Sequence, residues 1–220
     1  MSFELFLSAG TLLMIAVMLF AGETYKIPIW KRIVLAIVLT GAGVAGAKLM
    51  AFIESGSFSG RSFFGALFFA PIIMAPVAKL MKVSISDTLD ICAPAECIML
   101  TFLKIDCTIE GCCRGMLLRM AENGEEIRFP SQVTECVNAL LLMLALLWIL
   151  QRGKQKGAIY LWYMVLYGIS RFILNSFRET EPFVWILPAG HFWSIISIGI
   201  GLYGFVLWKD YWKKKNKAQK

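Results

Sequence analysis

The sequence predicts an all-α integral membrane protein with seven transmembrane helices, its N-terminus outside and its C-terminus cytoplasmic. Composition is the first reason: 58% of residues are hydrophobic and 17% charged, with a mean hydropathy of +0.68, whereas soluble domains carry about a quarter charged residues. The second is a series of seven apolar runs of roughly the length that crosses a hydrocarbon core of about 30 Å. The third is where the cations fall. With the tail placed in the cytoplasm, fourteen of the 22 Lys and Arg lie in inner segments and six in outer ones, the bias that orients membrane proteins. The same distribution excludes nucleic acid as the reason for the net charge of +7, because the basic residues are spread over short connections and the tail KDYWKKKNKAQK. The chain reads as one transmembrane domain over 1–220, with an extracytoplasmic loop at 104–132 and a basic cytoplasmic tail at 209–220.

In chain order, Phe3 to Ala21 has Glu4 at its start and no basic n-region, so it reads as a retained span rather than a signal peptide. Ile33 to Ile53 carries Lys48 near its far end and the small residues Gly41, Gly43 and Gly46, which let helices approach closely. Ser62 to Lys79 contains Pro71 and Pro76 and is expected to kink. Thr88 to Leu103, the weakest run, holds Pro94 and Glu96; Val133 to Leu150 opens with Glu135 and Asn138. Tyr160 to Arg178 is an apolar run with an arginine set inside it, and Phe183 to Trp208 begins with Pro188, Gly190 and His191. Trp148, Trp162, Trp185, Trp193, Trp208 and Trp212 fall near run ends, which suits aromatic belts at the membrane interfaces.

The arginine run organises the rest. Arg171, Asn175 and Arg178 share one helical face, continued by Tyr163 and Tyr167. An Arg inside a span costs at least about 2.5–3.5 kcal/mol on insertion scales, so Arg171 is expected to face a polar cavity, whereas Arg178 is placed to snorkel at the interface. The topology puts Lys48, Lys104, Glu135, Asn138, the Arg171 face and His191 in the outer half of the membrane. Cations at headgroup depth suit an anionic headgroup, since Arg offers a bidentate fork to phosphate and Lys a point charge. A small transporter or channel using Lys48, Glu96 and Arg171 would need polar residues in the inner half too, and that half reads as almost purely apolar.

Of six cysteines, Cys92, Cys97 and Cys136 lie in spans and are expected to pack as small apolar residues. Cys107, Cys112 and Cys113 lack a C-x-x-C pair or a Cys/His zinc spacing, so no metal and no cofactor is expected. A disulfide between Cys107 and one of the adjacent pair is compatible with an oxidising outer face.

Four segments also match a family by motif. A-G-A-K at 45–48, K-I-D-C-T-I-E-G-C-C-R-G at 104–115, P-S-Q-V-T-E at 130–135, and Y-G-I-S-R-F-I-L-N-S-F-R at 167–178 followed by L-P-A-G-H-F-W-S resemble, in order, the motifs of the bacterial prolipoprotein diacylglyceryl transferases. That resemblance implies transfer of the diacylglyceryl group of phosphatidylglycerol to the lipobox cysteine thiol of a prolipoprotein, at the outer leaflet of the bacterial plasma membrane, with release of glycerol phosphate. By motif position it implies that Arg171 and Lys104 hold the headgroup phosphate, that Glu135 and Arg178 form a supporting ion pair, and that Tyr167 donates a hydrogen bond or packs. Lys48, Arg61, Gln132 and Asn175 complete the expected substrate-binding set.

The departures are specific. Where the family's third span opens with Ser-Phe-His-Gly-Gly, the stretch Phe58 to Gly65 has Gly60 at the place of the histidine. Lys104, Asp106 and Cys107 replace the signature's Arg, Gly and Asn, and Asn175 replaces an acid. His191 or Glu135 then becomes the expected base. The alternative is a catalytically inactive or repurposed relative that binds anionic phospholipid or a lipoprotein partner.

Overall fold

A computed structural model describes every residue except 1, 59, 122–123, 154, 180–182, 185 and 219–220. The described residues form seven helices: α1 (Ser2–Glu23), α2 (Ile29–Ser55), α3 (Phe63–Leu80), α4 (Ile85–Glu110), α5 (Ser131–Gln151), α6 (Ile159–Asn175) and α7 (Ala189–Ala218). Two small antiparallel hairpins interrupt them, β1 (Leu117–Met120) with β2 (Glu126–Arg128), and β3 (Phe183–Val184) with β4 (Leu187–Pro188). Five of the helices, α1, α2, α3, α5 and α7, are long and apolar enough to cross a membrane. The other two are the ones that carry chemistry. α4 bears Asp87, Asp90, Glu96, Lys104, Asp106 and Glu110, and α6 is only 17 residues long.

Packing separates an apolar exterior from a dense interior. Leu12, Ile37, Ile72, Leu141 and Ile200 are exposed on the outward faces of the five apolar helices, as expected where lipid rather than water is the solvent. Met18, Leu35, Leu67, Met74, Ile91, Leu146 and Tyr163 are fully buried between them. Where α2 crosses α3, Gly46 faces Gly65 so closely that a methyl on either would overlap the other's backbone carbonyl. That approach brings the Ser62 N–H to the Ala47 carbonyl at 3.1 Å and fixes the start of α3 against α2. Pro71 has no N–H to offer the Leu67 carbonyl four residues earlier. The Tyr160 hydroxyl donates to it instead at 2.8 Å, so α6 satisfies the group that the proline frees in α3.

The ends with the basic connections meet at one side of the bundle. Lys31 Nζ donates to the Met81 carbonyl at 2.6 Å, and Trp208 Nε1 to the Lys156 carbonyl at 3.2 Å. Asp90 is the node of this side. It accepts the N–H groups of Gly157 at 2.6 Å and Ile159 at 2.8 Å, capping the start of α6, and it accepts the Tyr25 hydroxyl from the α1–α2 turn. Buried Arg32 closes the same turn by donating to the carbonyls of Ile27 and Leu19. This side of the bundle is therefore not purely apolar: Asp90 and Arg32 are buried in it, and both bond backbone groups.

Several boundaries differ from expectation. α4 continues through Lys104 to Glu110 and α5 starts at Ser131, so the connecting loop is 111–130. α6 ends at Asn175, which leaves Arg178 in the turn beyond the helix. The last helix starts at Ala189, because Phe183–Val184 pairs with Leu187–Pro188, where Pro188 can close a strand but not continue a helix interior. Trp193, half-buried, packs on Phe68 with ring centroids 6.0 Å apart. Lys154, Trp185 and the side chain of Trp212 lie outside the described residues.

Candidate functional site

Glu135, in the first turns of α5, is buried, and three cations from two other segments converge on it. Lys104 Nζ of α4 lies 2.6 Å from Oε2, and Arg171 Nη1 of α6 lies 2.7 Å from Oε1. Arg178 Nε reaches Oε1 at 3.7 Å from beyond the end of α6. The reach of Arg178 depends on the 111–130 loop. Met116 N–H donates to the Phe177 carbonyl at 2.9 Å and Glu179 N–H to the Arg114 carbonyl at 3.1 Å, so the turn is stitched to the loop on both sides of the arginine. Gly115 runs beside it, so tight against Phe129 that a methyl there would overlap the Phe129 carbonyl.

Three cations thus meet one carboxylate in this group. Those charges face a cavity of about 610 Å³, lined among others by Lys48, Arg61, Lys104, Tyr167, Arg171 and Arg178. The expected set thus divides by geometry. Six of its members line the cavity, and Glu135 stands behind three of them as their common counter-charge. Tyr167 packs between Phe63 at 5.4 Å and Phe64 at 5.5 Å, which orients its ring at the cavity wall. Lys48 Nζ donates to the Phe58 carbonyl at 3.0 Å and so ties α2 to the segment that precedes α3. Arg61 lies 3.7 Å from Asp106, whose side chain is buried near the end of α4.

The remaining expected residues sit beside the cavity rather than in its wall. His191, at the start of α7, pairs through Nδ1 with Asn175 Nδ2 at 2.9 Å and through Nε2 with Ser176 Oγ at 3.2 Å, and stands edge-on to Phe172. Both ring nitrogens thus grip the end of α6. Gln132 Nε2 donates to the Cys112 carbonyl at 2.7 Å and Ser131 Oγ to the Cys113 carbonyl at 2.8 Å, so the Pro-Ser-Gln segment holds loop backbone. Asn138 Nδ2 donates to Ser170 Oγ at 3.1 Å, tying α5 to α6.

Glu96, singled out in the sequence beside Pro94, lines the cavity on α4 with its Oε1 3.2 Å from the Tyr160 hydroxyl. One feature escaped the sequence. Cys107, Cys112 and Cys113 bring their three sulfurs within 4.8 Å of one another, and all three line the cavity next to Lys104 and Arg178. Their spacing in sequence gave no sign of this. Convergence needs the left-handed backbone of Gly111 (φ 66°) and Cys113 (φ 57°), which turns two adjacent side chains back toward the helix end. Hydrogen bonding to Cys107 pulls the Cys113 thiol down to about 5, helped by Lys104 and Arg178 and opposed by burial.

Chemically, the arrangement can neutralise an anionic oxygen cluster beside a group of thiols, in a pocket sheltered by apolar helices. Fold and site together define a multi-span membrane protein with a buried cationic cavity. The chain belongs to the prolipoprotein diacylglyceryl transferase family, whose sequence profile matches residues 2–207. It is 26% identical over 129 residues to a phosphatidylglycerol–prolipoprotein diacylglyceryl transferase of Clostridium tetani, covering 53% of this chain and 51% of the relative. A second transferase of that name, from Clostridium perfringens, is 28% identical over 136 residues, 56% of this chain and 53% of the relative. One from Helicobacter hepaticus is 34% identical over 93 residues, 38% of this chain and 32% of the relative. The matched regions thus span about half or less of these curated relatives.

Proposed function

We propose that this protein transfers the diacylglyceryl group of phosphatidylglycerol to the lipobox cysteine thiol of a prolipoprotein, at the outer leaflet of the plasma membrane. The observation that carries this reading is the convergence of Lys104, Arg171 and Arg178 on one buried carboxylate at the wall of the 610 Å³ cavity. Glu135 fixes the three cations at the spacing of one acceptor cluster, and their positive charge suits a phosphodiester. In the reaction the acceptor thiol gives up its proton, its sulfur attacks the glyceryl carbon, and the C–O bond to phosphate breaks. Glycerol phosphate departs with the bonding pair, and the cations stabilise the charge that grows on its oxygen. Arg171 and Arg178 offer forked contacts to the phosphate and Lys104 a point charge. Lys48 and Arg61 extend the positive wall toward the glycerol end of the headgroup, and Tyr167 forms its aromatic side. The bias of basic residues supports an outside N-terminus and a cytoplasmic tail, which sets the cavity in the outer half.

The test is transfer of a labelled diacylglyceryl group from phosphatidylglycerol to a lipobox peptide by the purified protein, beside its Arg171→Ala variant. Product from the parent and not from the variant supports the reading; equal product from both contradicts it.

Gly60 supports a second reading. It stands where the family resemblance places a histidine, and of the expected substitutes His191 is held by Asn175 and Ser176, and Glu135 by Lys104 and Arg171. A relative that holds anionic phospholipid without turning it over predicts retention of phosphatidylglycerol and no labelled product.

A further inference from the structure

Sulfur alkylation needs a thiolate, and the acceptor's cysteine, at an ordinary pKa of about 8.5, is mostly protonated at neutral pH. The chain's one histidine, the usual kind of proton acceptor, has both ring nitrogens engaged by Asn175 and Ser176. The cavity nevertheless contains a group suited to the task. Cys107, Cys112 and Cys113 present three sulfurs within 4.8 Å of one another. Three thiolates about 2.3 Å from a tetrahedral zinc ion are about 3.8 Å apart, so closure by about an ångström completes the set.

We propose that Cys107, Cys112 and Cys113 form a three-thiolate site for Zn2+ whose fourth position opens into the cavity and takes the acceptor cysteine thiol. The proposal rests on the transferase reading for its acceptor, and on the cysteine cluster for its metal. Three features support it beyond proximity. The turn that carries Cys112 and Cys113 is pinned from α5, by Ser131 Oγ on the Cys113 carbonyl and Gln132 Nε2 on the Cys112 carbonyl, the kind of outer support that orients ligands. Among the described residues no further Cys, His, Asp or Glu joins the cluster, which gives the three-ligand open form of a catalytic zinc site rather than the closed four-ligand form of a structural one. The charges also agree. A dication with three thiolates carries one net negative charge, and the neighbouring cations Lys104 and Arg178 offset it.

The chemistry closes without a redox step. Coordination acidifies the acceptor thiol, whose proton passes to solvent. The coordinated sulfur attacks the glyceryl carbon, the C–S bond forms as the C–O bond to phosphate breaks, and glycerol phosphate leaves with the electron pair. The product thioether is neutral and a weaker ligand than a thiolate, so it leaves the metal and frees the fourth position.

Cobalt titration of the full-length, reduced protein in detergent reads the site by absorbance, independently of turnover. The parent is expected to bind one equivalent of Co2+ with thiolate-to-metal charge-transfer absorption, displaced by Zn2+. Cys107→Ser and Cys113→Ser should each weaken binding by more than the roughly 10–100-fold that Ser131→Ala costs as an outer-support change. Cys136→Ser, on α5 and outside the cluster, should bind like the parent. A lipobox peptide should intensify the charge-transfer band, and its cysteine-to-serine counterpart should not. Absence of the band in the reduced parent, or its survival in Cys107→Ser and Cys113→Ser, overturns the metal site. A spectrum unmoved by the cysteine peptide overturns the open position. Undiminished diacylglyceryl transfer by metal-free protein overturns the catalytic role and leaves the transferase reading standing. A positive cobalt spectrum with no labelled product under any metal condition refutes the transferase reading and keeps the site.

Discussion

Lys104 Nζ and Glu135 Oε2 meet at 2.6 Å across the α4–α5 interface, with the two side chains only 11% and 6% exposed. Glu135 is also the partner of Arg171, so a single carboxylate joins three helices at the cavity wall. Removing one partner of a buried charge group leaves the others uncompensated, at a cost of about 3–5 kcal/mol. Glu135→Ala is expected to lower unfolding stability in detergent by that amount. Lys104→Met combined with it should cost less than the two separate losses, because fewer cations are then stranded. Additive losses would show that the pair is not coupled.

Arg61 and Asp106 form a second pair, 3.7 Å apart. Asp106 is almost fully buried while Arg61 is 37% exposed, so solvent screens part of their attraction. Arg61→Ala is expected to destabilise by about 1–2 kcal/mol, chiefly through the stranded acid. Asp106→Asn in the same chain should recover more than half of the loss. Thermal unfolding of the two variants decides it, and an equal loss in both would place the defect elsewhere.

The crossing of α2 and α3 offers a prediction about backbone rather than charge. Gly65 meets Gly46 with no room for a methyl group, and the Ser62–Ala47 backbone bond depends on that approach. Gly65→Ala is expected to cost about 1–3 kcal/mol by overpacking and to shift the segment that carries Arg61. Gly41, on α2 with Gly46 but with open space around it, should accept Ala with little change.

Much of this was legible in the sequence because lipid imposes simple rules. Lys48, Tyr167 and Arg171 stand out by their placement in apolar runs and line the cavity; so do Lys104, singled out by motif position, and Arg178, which the sequence reads as an interfacial residue. Residues whose partners come from distant segments were not legible. Asp90 was silent until α6 brought three backbone N–H groups to it, since a single Asp in an apolar run does not say what it caps. The boundary of α6 was set too late because FILNSFR continues the helical pattern, while the chain turns at Ser176 to pair with the 111–130 loop. The cysteine cluster depends on left-handed backbone at Gly111 and Cys113, and left-handed geometry at a non-glycine residue leaves no mark in hydropathy.

Arginine and lysine should not be interchangeable at the cavity wall. Arg171→Lys keeps the charge toward Glu135 but loses the fork, and transfer to a lipobox peptide is expected to fall about tenfold, equivalent to about 1.4 kcal/mol. Arg171→Ala should fall further. Equal rates for Lys and wild type would mean that charge alone matters at this position.

The central claim is that Lys104, Arg171 and Arg178 together hold the phosphate of an anionic phospholipid. Its most direct measurement is equilibrium retention of phosphatidylglycerol against phosphatidylcholine by the purified protein in mixed micelles, compared with an Arg171→Ala, Arg178→Ala double variant. The account predicts preferential retention of phosphatidylglycerol by the parent and loss of that preference in the folded variant. Equal preference in the two proteins would contradict it.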